Sequence, residues 1–203
     1  MRTALADVLG QSAMTEISKY LTEDEACEIH QQFLRSLTQP SRQVMWTGVP
    51  REWVQFWADR HNMLTLTSAM GPLMELNDPA CQKRYKSEQE WSRYVKGASA
   101  MFALHVGKSE VVTVLARPPP ARTNPNGRST YQEIEEPILK GLGSTHHAAS
   151  IVMVHFTVVG AEDARYEVWP RDDVALWSLS HTSARPIQLH KTVASRELQM
   201  RCF

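Results

Sequence analysis

The chain is expected to fold as an α/β (α+β) protein, with a mostly helical N-terminal half packed on a C-terminal half. That second half should hold a small, mainly parallel sheet flanked by helices. Three observations predict this. Helix starts and helix-period apolar spacing dominate the first hundred or so residues. Two short β-branched runs, 110–116 and 150–159, lie in the second half. Helix-like segments follow each of these runs, and strand–helix–strand order implies right-handed crossovers and parallel pairing. At 203 residues the chain is long enough for a sizeable core and is read as a single domain, 1–203. Its helical lobe should span about 1–105 and its α/β lobe about 106–203.

Residues 1–20 are weakly amphipathic, a loose helix or a tail. Thr22-Glu23-Asp24-Glu25 is a helix start, with a capping hydroxyl, a glutamate three residues on and an acidic first turn. Cys27, Ile29, His30, Phe33 and Leu34 then form an inward stripe, and Pro40-Ser41 ends the helix. Residues 44–50 lead into a helical stretch around Trp53, Phe56 and Trp57. Those two tryptophans read as core, whereas Trp46 stands beside the loop of Gly48 and Pro50.

The stretch 63–75 is ambiguous, because Pro72 forbids an unbroken helix. A turn at Asn77-Asp78-Pro79 precedes a charged, solvated segment, 82–90. The next helix, 91–105, carries small residues at Gly97-Ala98-Ser99-Ala100 that allow close packing or ligand approach. Strand 110–116, a Pro-rich loop 118–127, a helix 131–142 interrupted by Pro137, and a central strand 150–159 come next. A short helix at 172–179 and a last strand at 185–193 complete the pattern.

Lys+Arg and Asp+Glu are both 22, so the basic excess of a nucleic-acid or anionic-membrane binder is missing. Cys27, Cys81 and Cys202 form no C-x-x-C pair, which argues against a disulfide framework or a zinc site and suits a reducing compartment. No run approaches a membrane span. The expectation is a soluble, cytoplasmic protein with no nucleic-acid, membrane or metal partner. Its oligomeric state is open, a homodimer included.

The stretch Ser129-Thr130-Tyr131-Gln132-Glu133-Ile134-Glu135 lies where a strand-to-helix connection of an α/β protein tends to carry chemistry. Thr130 and Glu133 alone make a capping box, which explains both without any function and leaves Glu135 an exposed glutamate. His146-His147 sits in a small-residue loop with no partner at ligand spacing, and His155 reads as a satisfied core histidine on an apolar strand.

Together with other short segments, this stretch resembles the ADP-ribosyl cyclase / cyclic ADP-ribose hydrolase family. Ser129 to Glu135 fits that family's Ser-[Thr/Phe]-[Phe/Tyr]-x-x-x-Glu pattern, which puts Glu135 at the catalytic glutamate. Trp46 and Met63-Leu64-Thr65-Leu66-Thr67-Ser68 keep the spacing of a pocket tryptophan and a Met-[Phe/Leu]-Thr-Leu segment. Ala98-Ser99-Ala100-Met101-Phe102-Ala103 and Val111-Val112-Thr113-Val114-Leu115 are similar to a family helix and strand. Ile187-Gln188, Lys191 and Arg196-Glu197-Leu198-Gln199 are similar to its last strand and the residues after that strand.

The chain departs from the family at three points. An acidic residue is replaced by Thr67, with Glu75 as a nearby carboxylate. The second pocket tryptophan is either Trp91 or, without a gap, Val95. The family's disulfides cannot form, so this would be a cysteine-poor, intracellular relative.

The resemblance implies an enzyme that cleaves NAD, taken as substrate and not as cofactor, to nicotinamide and ADP-ribose or cyclic ADP-ribose. Nicotinamide leaves a cationic ring as a neutral base, so the protein must stabilise an oxocarbenium-like ribosyl centre. Glu135 would accept from the ribose hydroxyls and Ser99 would sit near the ribosyl centre. Tryptophan faces at Trp46 and Trp91 would orient the ring. Thr67, Arg128, Ser129 and Thr130 complete the expected substrate contacts. Thr130, where cyclising members often carry a bulkier aromatic, leans toward hydrolysis. A nucleotide-binding module of the same fold without turnover and an ADP-ribosyltransferase are the competing readings.

Overall fold

The computed structural model describes residues 5–39, 41–119, 121–143 and 146–181. The expected last strand and the matches after it, Ile187 to Gln199, lie outside the described residues, as does Pro40. The α/β class is as expected: helices flank a small, open, mostly parallel sheet.

The N-terminal region supplies α1 (Leu5–Leu9), α2 (Gln11–Ile17) and α3 (Glu23–Ser36). The capping box at Thr22 forms as read: its hydroxyl accepts from Glu25 N–H while the Glu25 carboxylate accepts from Thr22 N–H at 2.8 Å. Of the expected stripe, Ile29, His30 and Phe33 are buried and Cys27 is half-buried, but Leu34 is exposed. Leu34 comes one residue after Phe33, about 100° round the helix, and that step carries it off the buried face.

Strand β1 (Val44–Thr47) runs into α4 (Arg51–Arg60), then α5 (Leu66–Met70) and a 3-10 turn, Gly71–Leu73. Pro72 sits inside that turn, which resolves the ambiguous stretch as two short helical pieces. A second 3-10 turn, Gln82–Tyr85, precedes α6 (Glu88–Val106), opened by a capping box from Ser87 and Glu90. The end of the charged segment is thus the first turn of α6. Strand β2 (Val111–Ala116) and a long loop lead to a π-helical turn, Tyr131–Glu135, and α7 (Glu136–Leu139). Strands β3 (Ser150–Val154) and β4 (Arg165–Trp169) and α8 (Val174–Ser180) come last.

The strand order is β1-β2-β3-β4. β1 pairs with β2 and β2 with β3 in parallel, whereas β4 lies antiparallel on β3. Three details differ from expectation. The central strand stops at Val154, because His155 turns out of the ladder to bond Ala116 O and Tyr166. The edge strand β4 was not expected from the sequence, although Arg165-Tyr166-Glu167-Val168-Trp169 alternates polar and apolar residues up to Pro170. β1, from the N-terminal half, joins the same sheet, so that half is not purely helical.

Alternation along the strands puts core on both sheet faces. Met45, Val112, Val114, Ile151 and Met153 join the larger core with α3 and α6. Val44, Leu115 and Val154 pack with Trp53, Val54 and Trp57 of α4 in a second core. Phe33 of α3 meets Phe102 of α6 edge-on, centroids 5.8 Å apart, a geometry worth about 0.5–1.5 kcal/mol beyond area burial. α6 approaches its neighbours closely because Gly97 leaves room for Leu21; a Cβ there would lie 2.3 Å from Leu21 Cγ. No described helix is long and apolar enough to cross a membrane.

Candidate active site

The parallel pair β1/β2 ends on one side of the sheet, and a cavity of about 250 Å³ opens there. Crevices at the carboxyl ends of parallel strands are where open α/β sheets bind ligands. Trp46, Thr47 and Gly48 bring the end of β1 to it, Val95 and Ser99 come from α6, and the π turn supplies Glu135.

The helix expected over 131–142 is shorter and irregular. In the π turn, Glu136 N–H reaches back five residues to Tyr131 O, and Pro137 lies within the first turn of α7, where its missing N–H costs least. Tyr131, Ile134, Glu135, Ile138 and Leu139 are all buried, spaced as one inward stripe. Glu135 holds a position that this periodicity reserves for an apolar side chain. That is why the residue is only 7% exposed.

The capping box of Thr130 and Glu133 does not form. Thr130 already has helical dihedrals and makes no side-chain cap, while Glu133 points outward toward Lys96 at 3.8 Å. Ser129 takes the capping role instead, its Oγ accepting from Gln132 N–H at 3.2 Å and donating to Gln132 Oε1 at 2.9 Å. Thr47 Oγ1 donates to the same Ser129 Oγ at 3.3 Å, which ties the end of β1 to the start of the π turn. Gln132 Nε2 also donates to Asn124 O at 3.0 Å, anchoring the long loop.

Burial pushes the Glu135 carboxyl up to about 7, and the Ser99 hydroxyl pulls the other way. A carboxylate poised near neutrality in a cavity is a functional-site signal with a stated physical cause. His155, by contrast, is spent structurally: Nδ1 bonds Ala116 O at 3.1 Å, Nε2 bonds the Tyr166 hydroxyl at 2.9 Å, and burial drives its pKa down to about 4. His147 packs edge-on against Trp169. Among the described residues, no group of three or more His, Cys, Asp or Glu side chains is arranged to hold a metal ion.

Five of the eight expected site residues line this cavity: Glu135, Trp46, Ser99, Ser129 and Thr130. Three do not. Thr67 is half-buried in α5 one residue beyond Leu66, which takes the place in the lining. Trp91 stacks on Tyr94 instead, centroids 5.4 Å apart, and Val95, one turn further along α6, faces the cavity. Arg128 is exposed on the loop, and Glu75 is exposed beyond the 3-10 turn. Thr47, Gly48 and Tyr131 line the cavity without having been expected there. The first two directly follow Trp46 in the chain, and that adjacency is the available signal.

No protein-family model, curated protein or solved structure matches this chain, so the site is read from its own geometry.

Proposed function

We propose that this chain cleaves the nicotinamide–ribose bond of NAD. The observation that carries the proposal is one buried carboxylate, Glu135, sharing a cavity with the indole of Trp46 and the hydroxyls of Ser99 and Ser129. At about 250 Å³ the cavity is below the roughly 300–1,000 Å³ of pockets that enclose drug-sized ligands, and it suits a single ring and sugar.

The C1′–N1 bond breaks with both electrons leaving on nicotinamide, whose ring loses its positive charge. The cationic ribosyl C1′ left behind is stabilised by the Glu135 carboxylate, which accepts hydrogen bonds from the ribose hydroxyls. Water then adds to C1′ and releases a proton, giving ADP-ribose. The cationic ring of bound substrate also favours ionised Glu135, opposing the effect of burial. Trp46 presents a face on which such a ring stacks.

The test is nicotinamide release from NAD by the purified chain, with Glu135→Gln beside it. Release by wild type that Glu135→Gln lowers at least a hundredfold is expected, on the scale of removing one electrostatic stabiliser, about 10²–10³. Wild-type activity that survives in Glu135→Gln would remove this residue from the chemistry. A second reading, a nucleotide-binding module without turnover, is favoured by Val95 standing where a second aromatic face would clamp the ring. Nucleotide binding with no nicotinamide release selects it.

A further inference from the structure

We infer that Arg117 is the cation that selects a phosphate-bearing substrate at the cavity mouth, an assignment that rests on the NAD-cleaving reading. Its position comes from the strands. Ala116, the last residue of β2, is in register with Thr47 of β1, so the next residues, Gly48 and Arg117, emerge side by side. Gly48 lines the cavity and has φ +69°, a conformation that favours glycine. With no side chain at 48, the Arg117 side chain lies over that backbone, its Nε 3.5 Å from where a Cβ would stand.

The Arg117 Nε–H donates to Gly48 O, which fixes the guanidinium at the rim. This leaves the two terminal nitrogens, the edge that matches a phosphate bidentately. Arg117 is exposed, and among the described residues no carboxylate pairs with it. Arg122, further along the same loop, is already committed to Asp172, with Nη1 to Oδ1 at 2.9 Å. Among the described residues, Arg128 has no such tether to a cavity-lining residue.

The cavity itself supplies the second half of the inference. A space of about 250 Å³ takes the reacting ring and sugar but not a whole dinucleotide. The pyrophosphate must therefore lie outside, and an exit past Gly48 brings it under Arg117. This contact is present equally in ground and transition states, so it acts on binding and not on the chemical step.

The experiment compares NAD with nicotinamide riboside, which has the same reacting bond and no phosphate. Arg117→Ala is expected to raise KM for NAD about tenfold with kcat within about twofold, the size of one lost charged hydrogen-bonded contact. Cleavage of nicotinamide riboside should stay within about twofold, and Arg117→Lys should recover part of the NAD effect. An unchanged KM for NAD, or an equal fall for both substrates, overturns the assignment while leaving the NAD reading intact. If wild type releases no nicotinamide from either, that reading fails and calorimetric titration with ADP-ribose decides for Arg117. Binding weakened about tenfold in Arg117→Ala supports it, and equal affinity or no binding to wild type overturns it.

Discussion

Ser99 in the middle of α6 and Glu135 in the π turn meet in one cavity, where burial raises the carboxyl and the serine hydroxyl opposes it, leaving it at about 7. Two elements far apart in the chain thus set the charge of a single oxygen pair. The balance between them makes the site sensitive to pH near neutrality.

If the proposed cleavage of NAD uses the ionised carboxylate, its kcat/KM rises with pH through about 7 and levels off above it. On that proposal, protonation below that point removes the negative charge that would stabilise the ribosyl cation. Ser99→Ala takes away the hydroxyl that lowers the pKa, so the midpoint moves to higher pH. A kcat/KM profile from pH 5 to 9 on both proteins checks the direction; a midpoint that moves down in the variant contradicts it.

The same carboxyl predicts a stability signature without any substrate. Its folded-state pKa lies above the ordinary 4.5 of the unfolded chain. The folded state therefore holds the proton more tightly between these values, and stability from this group is full below 4.5 and lost as pH rises through about 7. The full difference is about 3 kcal/mol at most. Urea unfolding of wild type and Glu135→Gln across this range should show the variant gaining on wild type as pH rises. A constant gap would mean that Glu135 titrates normally.

His105 works in the opposite sense. Burial first, then His30 and Lys108, hold its pKa down to about 4, with His30 Nδ1 3.2 Å from its Nε2. The folded chain binds fewer protons here than the unfolded one, so this contribution is present above the ordinary 6.5 and is lost as pH falls toward 4. His105→Gln should flatten the acid limb of the stability curve relative to wild type. An identical acid limb in both proteins would show that the pair does not resist protonation.

Gly97→Ala should destabilise the fold by about 1–3 kcal/mol, because the added Cβ overlaps Leu21. Thermal or urea melts measure this, and pairing it with Leu21→Ala should recover part of the loss if the clash is the cause. Thr22→Ala should cost about 1 kcal/mol by removing the hydroxyl that caps α3. An unchanged midpoint would mean that the cap is replaced by water.

Local signals carried much of the fold. The Thr22 box, the β-branched runs that became β2 and β3, and the tryptophans of α4 act over a few residues, through capping, χ1 stiffness and helical spacing. β4 escaped because a short, half-buried edge strand has a weak pattern and takes its stability from pairing with β3. The site was legible in part: Trp46, Ser99 and Glu135 share one cavity, whereas Trp91 faces Tyr94 and Thr67 stands off the lining. A single turn of α6 separates Trp91 from Val95, and only the rotation of that helix against its neighbours says which of them faces inward.

By itself, then, the sequence determined the α/β class, the Thr22 cap of α3 and the buried positions Ile29, His30 and Phe33 of that helix, since each depends on spacing within one segment. Tertiary structure decided the rest. It replaced the Thr130 cap by Ser129, held through Thr47 of a strand 82 positions away, and it set Arg117 beside Gly48. It also made Glu135 a buried group with a raised pKa. Desolvation depends on everything packed around a carboxylate, and no run of neighbours along the chain encodes it.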